Sequence, residues 1–381
     1  MGVGVEVTYL ATLAAVLTAL AAFALTGLRS RLDLPAVAIW AGVAIAGTAL
    51  TVAVARTSLA EGLGTFGVIN VAFRQLVVGL PLAAALIGLR AWRRGWSTTT
   101  SLLGRMTVFG ALLLAPLGLW IGVVEPNRMV VRHDQLTAAG VPAGATLRIG
   151  IISDLQMGND GPGAHEQAAI EALNAQHPDV VLIAGDIAQS STEAFERNLG
   201  DIRALLSGIA APGGVFLVQG DVDERAELAA LAEGTGVRWL SDEIVTVPVA
   251  GTTVAIGGVD LEPSAPSARR IAEELEARPG QDEVRVLLAH RPDVVDLLPD
   301  TDTRTDLVVA GHTHGGQIVL PFVGPLMTLS SVPRAVAAGG LHTMGDRNIY
   351  VSSGVGVERH QAPRVRLLDP PSVGIVTVSH G

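Results

Sequence analysis

Apolar residues follow two patterns along this chain. Up to about residue 124 they form four long stretches, 10–28, 35–55, 68–89 and 108–124, each of about bilayer-spanning length. This predicts an N-terminal all-α transmembrane bundle of about four helices over 1–126; the third stretch, which contains Arg74 and Pro81, has the least defined ends. After "EPNRMVVRHD" the apolar runs shorten to "LRIGII", "DVVLIAG", "GVFLVQG", "TVAIGG", "VRVLLAH" and "DLVVAGH". Amphipathic segments such as "HEQAAIEALNAQ", "TEAFERNLGDIRALL", "ERAELAALAEG" and "SARRIAEELEAR" lie between several of them. Short β-branched runs alternating with helical periods predict an α/β layered domain with much of its sheet buried. That domain is assigned to 147–381, with 127–146 as a linker.

Composition and charge change the picture in two ways. A mean hydropathy of +0.45 and 49% hydrophobic residues are too apolar for an ordinary soluble chain, and the excess is confined to the first third. Residues 1–124 carry three acids and eight arginines, whereas the remainder carries 33 acids against 18 bases. An acidic domain has the wrong sign to track a phosphate backbone, which excludes nucleic acid as a partner. The opening "MGVGVEVTYL" contains Glu6 and no base, unlike a cleaved signal peptide. Arginines follow the first stretch and recur in "RAWRRGW", between the third and fourth. With those loops cytoplasmic, both termini face outward: a multi-pass cell-membrane protein in contact with lipids, its acidic domain extracytoplasmic.

The chemistry lies at the ends of the short runs. Asp154, Asp186 and Asp221 follow the first three, His290 ends a later one, and His312 and His314 stand just beyond the last in "LVVAGHTHGGQI". Five predicted strands thus deliver carboxylate or imidazole to their carboxyl ends, where ligands of open α/β sheets sit. Three converging carboxylates repel one another unless a cation neutralises them. Imidazole with carboxylate suits Mn, Fe or Zn, and oxygen-rich sets lean toward Mn or Mg. Two such ions about 3.5–4 Å apart can stabilise both attacking and leaving oxygens of a phosphoester. The chain has no cysteine, and no Gly-x-Ser-x-Gly elbow offers a covalent nucleophile.

The ordered set "SDLQ", "AGDIAQ", "QGDVD", "AHRPD" and "GHTHGGQI" resembles the calcineurin-like metallophosphoesterases. The likeness runs from about Leu147 to about Val378, and "YVSSGVGVERHQAPRVRLLDPPSVGIVTV" looks like the tail of a membrane-associated bacterial branch. It implies a two-sheet β-sandwich flanked by helices, with a dinuclear metal centre at the sheet edge. It also implies that Asp154, Gln156, Asp186 and His314 surround one divalent ion. Asp186 would bridge to a second ion, met also by Asp221, His290 and His312. Manganese leads among the metals, with iron, zinc and magnesium as alternatives, and a metal-activated water would attack phosphorus. Asp186, Asp221 and His312 are the catalytic candidates; Arg364 and His360 are candidates for substrate phosphate.

Three positions depart from the family pattern. Gln156 stands where most members have histidine, Asp221 where most have asparagine, and Val222 where most have the histidine that contacts the phosphoryl group. Loss of one transition-state donor lowers rates on the order of a hundredfold. The expectation is therefore a membrane-anchored metal-dependent hydrolase of a phosphomonoester or phosphodiester, with a lipid-linked or envelope substrate favoured by the anchor. The alternative is a catalytically degenerate domain that binds metal or ligand as a sensor or scaffold.

Overall fold

Proline shapes the first helical segment. The third apolar stretch forms α1 (Thr65–Arg74), a π-helical turn (Gln75–Gly79) and α2 (Leu80–Arg94). Pro81 has no N–H to donate and its ring crowds the carbonyl one turn earlier, near Val77. The wide turn just before it relieves both conflicts. The fourth stretch forms α3 (Leu102–Leu119), which contains Pro116 and closes in a second π-helical turn (Trp120–Val124).

This computed structural model describes residues 65–94, 102–280, 282–358 and 362–381. The predicted spans 10–28 and 35–55 lie outside them. Among the described residues, one helical stretch is long and apolar enough to cross a bilayer, Val108–Asn127, with 20 residues and a mean hydropathy of 2.0. The third predicted span falls short: its apolar helical part is Leu76–Leu86. A four-helix bundle therefore does not follow from the described residues. Contacts divide the chain into one unit of Met1–Gly122 with His360–Arg364, and a second of Val123–Arg359 with Val365–Gly381.

The second unit contains two six-stranded sheets. Along the first run β1 (Val130–Ala138), β14 (Ser372–His380), β2 (Thr146–Ile152), β3 (Val180–Ile183), β4 (Val215–Leu217) and β5 (Val237–Trp239). Along the second run β12 (Gly340–Met344), β13 (Arg347–Val351), β9 (Leu307–Ala310), β8 (Glu283–Leu288), β7 (Thr252–Gly258) and β6 (Glu243–Val249). The strands from β2 to β5 are mutually parallel, as are β13, β9, β8 and β7. Residues 130–138, inside the segment predicted as a linker, pair with β14 as an edge strand. Its mixed burial, with only Leu136 and Ala138 enclosed, is why no continuous apolar run marks it.

The pleat sorts each strand into two faces. Leu147, Ile149 and Ile151 of β2 and Leu182 of β3 meet Val286 and Leu288 of β8 and Val309 of β9 between the sheets. The alternate residues Ile152, Val181 and Ile183 turn outward onto α4 (Ala164–Asn174) and α5 (Thr192–Ser207) through Leu173, Phe195 and Ile202. Leu287 and Val308 of the second sheet pack likewise on Ile271 and Leu275 of α7 (Pro266–Glu276), a number that counts α6 (Arg225–Ala232) before it. Burial on both faces is what makes these strands near-continuous apolar runs. Each fully enclosed Leu, Ile or Val contributes at most about 1.5–3 kcal/mol.

Candidate metal centre

The two sheets bring their strand ends to one edge. Asp154 follows β2, Asp186 follows β3, Asp221 follows β4, His290 follows β8, and His312 and His314 follow β9. Asp154, Gln156, Asp186, His312 and His314 all have positive φ, between 49° and 71°. This region is sparsely populated without glycine, and it turns these side chains into the space between the loops. Close approach of the loops depends on glycine at two points. A Cβ on Gly311 would lie 2.6 Å from Asp154 Oδ2, and one on Gly220 would collide with the backbone nitrogen and Oδ1 of Asp186.

Two groups of potential ligands result. Asp154, Asp186 and His314 offer atoms within 4.8 Å of one another, and so do Asp221, His290 and His312. Asp186 adjoins both, with Oδ2 3.5 Å from His290 Nε2, which is in turn 3.3 Å from Asp221 Oδ2. His312 Nδ1 lies 2.6 Å from Asp221 Oδ2, and His314 Nε2 lies 3.6 Å from Asp154 Oδ1. The rings of His290 and His312 meet edge to face at 5.2 Å. Gln156 is buried at the same point, but its Nε2, not its oxygen, faces Asp186 Oδ2 at 2.8 Å and His314 Nε2 at 3.4 Å. Ligation through the amide oxygen requires that amide to be turned over.

Electrostatics favour a cation here. Burial, reinforced by the charge of Asp186, pushes Asp154 up to about 7. Burial pulls His290 down, but the neighbouring Asp186, Asp221 and Asp154 outweigh it and carry the imidazole up to about 10. Burial also raises Asp221, yet hydrogen bonds from His290, His312 and Arg291 hold it far below the carboxylate range. His314 is held well below its ordinary value by burial and then by the charge of Arg366, so it stays neutral, the form a metal requires. His290 Nδ1 contacts the Ala184 carbonyl at 2.6 Å, while His314 Nδ1 is enclosed without a hydrogen bond. A buried carboxylate that retains its proton, crowded by Asp186 and close to a buried imidazole nitrogen lacking a hydrogen bond, fits a pair of divalent cations.

Some supporting residues were not singled out from sequence. Asp223, the second acid of "GDVD", accepts the backbone N–H of Asp186 (2.8 Å), Ile187 (2.8 Å) and Gly220 (2.9 Å), and so fixes the turn that presents Asp186. Val222 contributes only its backbone, donating to Asp186 Oδ1 at 3.0 Å. Arg291 joins Asp221 to Glu262, with Nε 3.1 Å from Asp221 Oδ1 and Nη1 3.1 Å from Glu262 Oε1. Its position directly after His290 in "AHRPD" was the available signal. Buried Arg366 donates to the carbonyls of Ser353 (2.7 Å) and Gly356 (2.6 Å), behind the site. His165 contacts the Val355 carbonyl at 2.8 Å. Arg364 is exposed and groups with the first unit, and His360 lies outside the described residues.

A cavity of about 390 Å³ lined by Glu262, Arg291, Asp293, His312 and Leu329, with Pro263 and Ser264, adjoins the second ligand group. A larger one, about 790 Å³, opens near Gly140, Gly251 and His380, at the opposite ends of the strands. The smaller cavity is the relevant one, because it shares His312 with the ligand cluster.

Residues 147–316 match the calcineurin-like phosphoesterase family. The chain is 27% identical over 262 residues to the metallophosphoesterase YkuE of Bacillus subtilis, covering 67% of this chain and 87% of that protein. It is 28% identical over 244 residues to a metallophosphoesterase of Aquifex aeolicus, covering 62% and 87%. A shorter segment of 72 residues is 43% identical to the phosphodiesterase YaeI of Escherichia coli, 19% of this chain and 25% of that one.

Proposed function

The chain belongs, through residues 147–316, to the calcineurin-like phosphoesterases, metal-dependent hydrolases of phosphoesters, and from that premise we propose a membrane-anchored enzyme acting on a phosphomonoester or phosphodiester. Asp154, Gln156, Asp186 and His314 would hold one divalent ion; Asp186, Asp221, His290 and His312 would hold the other. Bound there, the ions would supply Lewis acidity toward the phosphoryl oxygens and toward water. The observation that carries this reading is the pair of ligand groups at one sheet edge, with Asp186 adjoining both.

The chain's own residues set the rest. Asp221 adds a charge where the family has a neutral amide, and Arg291 pairs with that carboxylate. Val222 leaves no imidazole for the phosphoryl group, and among the described residues lining the adjoining cavity Arg291 is the cation. Manganese is the favoured ion for an oxygen-rich set. The apolar N-terminal stretches support a multi-pass anchor with the acidic domain outside the cytoplasm, and such tethering favours lipid-linked or envelope phosphoesters. Reagent labelling of a single cysteine placed in this cysteine-free chain's acidic domain tests the orientation; protection in intact cells contradicts it.

The degenerate alternative is motivated by the amide nitrogen of Gln156 and by Val222. Chromogenic phosphomonoester and phosphodiester assays with Mn, Mg, Zn and Fe, repeated on Asp186→Asn, separate the two readings. Metal-dependent turnover abolished by the substitution supports the enzyme. Metal binding with no turnover on either substrate supports a scaffold.

A further inference from the structure

Residues 318–333, which begin four positions after His314, contain no charged side chain, although they belong to a strongly acidic domain. They form the hairpin of β10 (Val319–Leu320) and β11 (Gly324–Pro325) and its return. The base is pinned: Val319 N donates to the Leu367 carbonyl (3.0 Å), and Asp293 accepts from Ser330 Oγ and Ser331 N, both at 2.8 Å. The tip is bare. Phe322 is fully exposed, and Val323, Leu326, Met327 and Leu329 are each at least 42% exposed. A contiguous apolar projection of this kind marks an interaction site. It also adjoins the reaction centre, because His312 Nε2 contacts the Leu329 carbonyl at 3.2 Å and Leu329 lines the cavity beside His312.

Strand directions identify the partner. β1 begins at Val130 opposite Ser372 of β14, and Gly374 pairs with Ile151, so the start of β1 lies beside the carboxyl end of β2. Two strand spacings, about 10 Å, separate that start from β2. The chain therefore enters the domain at the edge that carries Asp154, and Val130 comes three residues after Asn127, the last residue of the apolar stretch Val108–Asn127. Three residues reach about 10 Å. Ligand groups, bare hairpin and chain entry thus share one edge.

We propose that the hairpin around Phe322 rests in the lipid surface and holds the mouth of the site against it, so that the substrate is a phosphoester whose apolar portion lies in a bilayer. The contact rests on the membrane-anchor reading above, and the substrate on the hydrolase reading. The cysteine-free full chain in lipid nanodiscs allows a direct test. Phe322→Cys, carrying an environment-sensitive fluorophore, is compared with Asp282→Cys, at the amino end of β8, in discs with and without nitroxide-labelled lipid. Quenching at least about twofold greater at position 322 than at 282 is expected. Equal or absent quenching overturns the proposal, and shielding from aqueous iodide in discs holding two chains would assign the hairpin to a second copy instead. Turnover of p-nitrophenyl phosphate and bis(p-nitrophenyl) phosphate by the same samples keeps the two readings apart. Turnover without quenching removes the lipid contact alone; quenching without turnover supports the contact and removes the hydrolase.

Discussion

Five of the seven side chains assigned here to metal ligation sit on residues with positive φ. Each such position costs of order 1–3 kcal/mol and persists only when its surroundings hold it. Asp223 does this for Asp186, and the Asp154 carboxylate, accepting from His312 N at 3.2 Å, does it for His312. Most of the ligand set was legible because each acid or imidazole stands at the end of an apolar run. Asp223 and Arg366 were not, since their importance lies in backbone groups that only the folded loops bring to them. Away from the site, burial pushes Asp306 up to about 6 while its carboxylate accepts Arg285 N at 2.7 Å. The native state therefore keeps this proton longer than the unfolded chain, whose aspartates titrate near 3.9. The contribution of Asp306 to stability falls by about 3 kcal/mol as pH rises between about 4 and 6. Asp306→Asn is expected to flatten that window and to exceed wild type above pH 6. Urea midpoints across pH check it, and an unchanged wild-type slope in the variant contradicts it.

At the level of elements, the runs that became β2, β3, β4, β7, β8 and β9 were readable because they are enclosed on both faces. β1 and β6 are edge strands with mixed burial, and β5 has only three residues, so none carries a continuous apolar signal. Arg74 and Pro81 marked the weak point of the third apolar stretch, but not the wide helical turn that the proline requires. The loop joining β13 to β14 illustrates how elements support the site. Gly356 N donates to the Asp154 carbonyl at 2.7 Å, and the same loop is clasped from behind by Arg366, itself paired with Asp369 at 3.2 Å. Removing one partner of a buried pair typically costs about 3–5 kcal/mol. Arg366→Met is expected to destabilise within that range and to weaken metal retention. A urea midpoint within error of wild type would show that the clasp is dispensable.

Over the whole molecule, the separation into an apolar N-terminal part and an acidic catalytic part follows directly from composition. The division of the strands between two sheets does not: the apolar runs of β2–β4 and of β7–β9 read alike, and it was the family resemblance that implied a sandwich. The sandwich places the ends of both sheets at one edge, and that convergence is the basis of the functional reading. Metal content of the purified full chain, measured beside phosphoester turnover for wild type and Asp186→Asn, tests it most directly. About two divalent ions per wild-type chain are predicted, with ion content and turnover both falling in the variant. A chain that retains no ion under saturating manganese, or a variant that matches wild type in both, would contradict it.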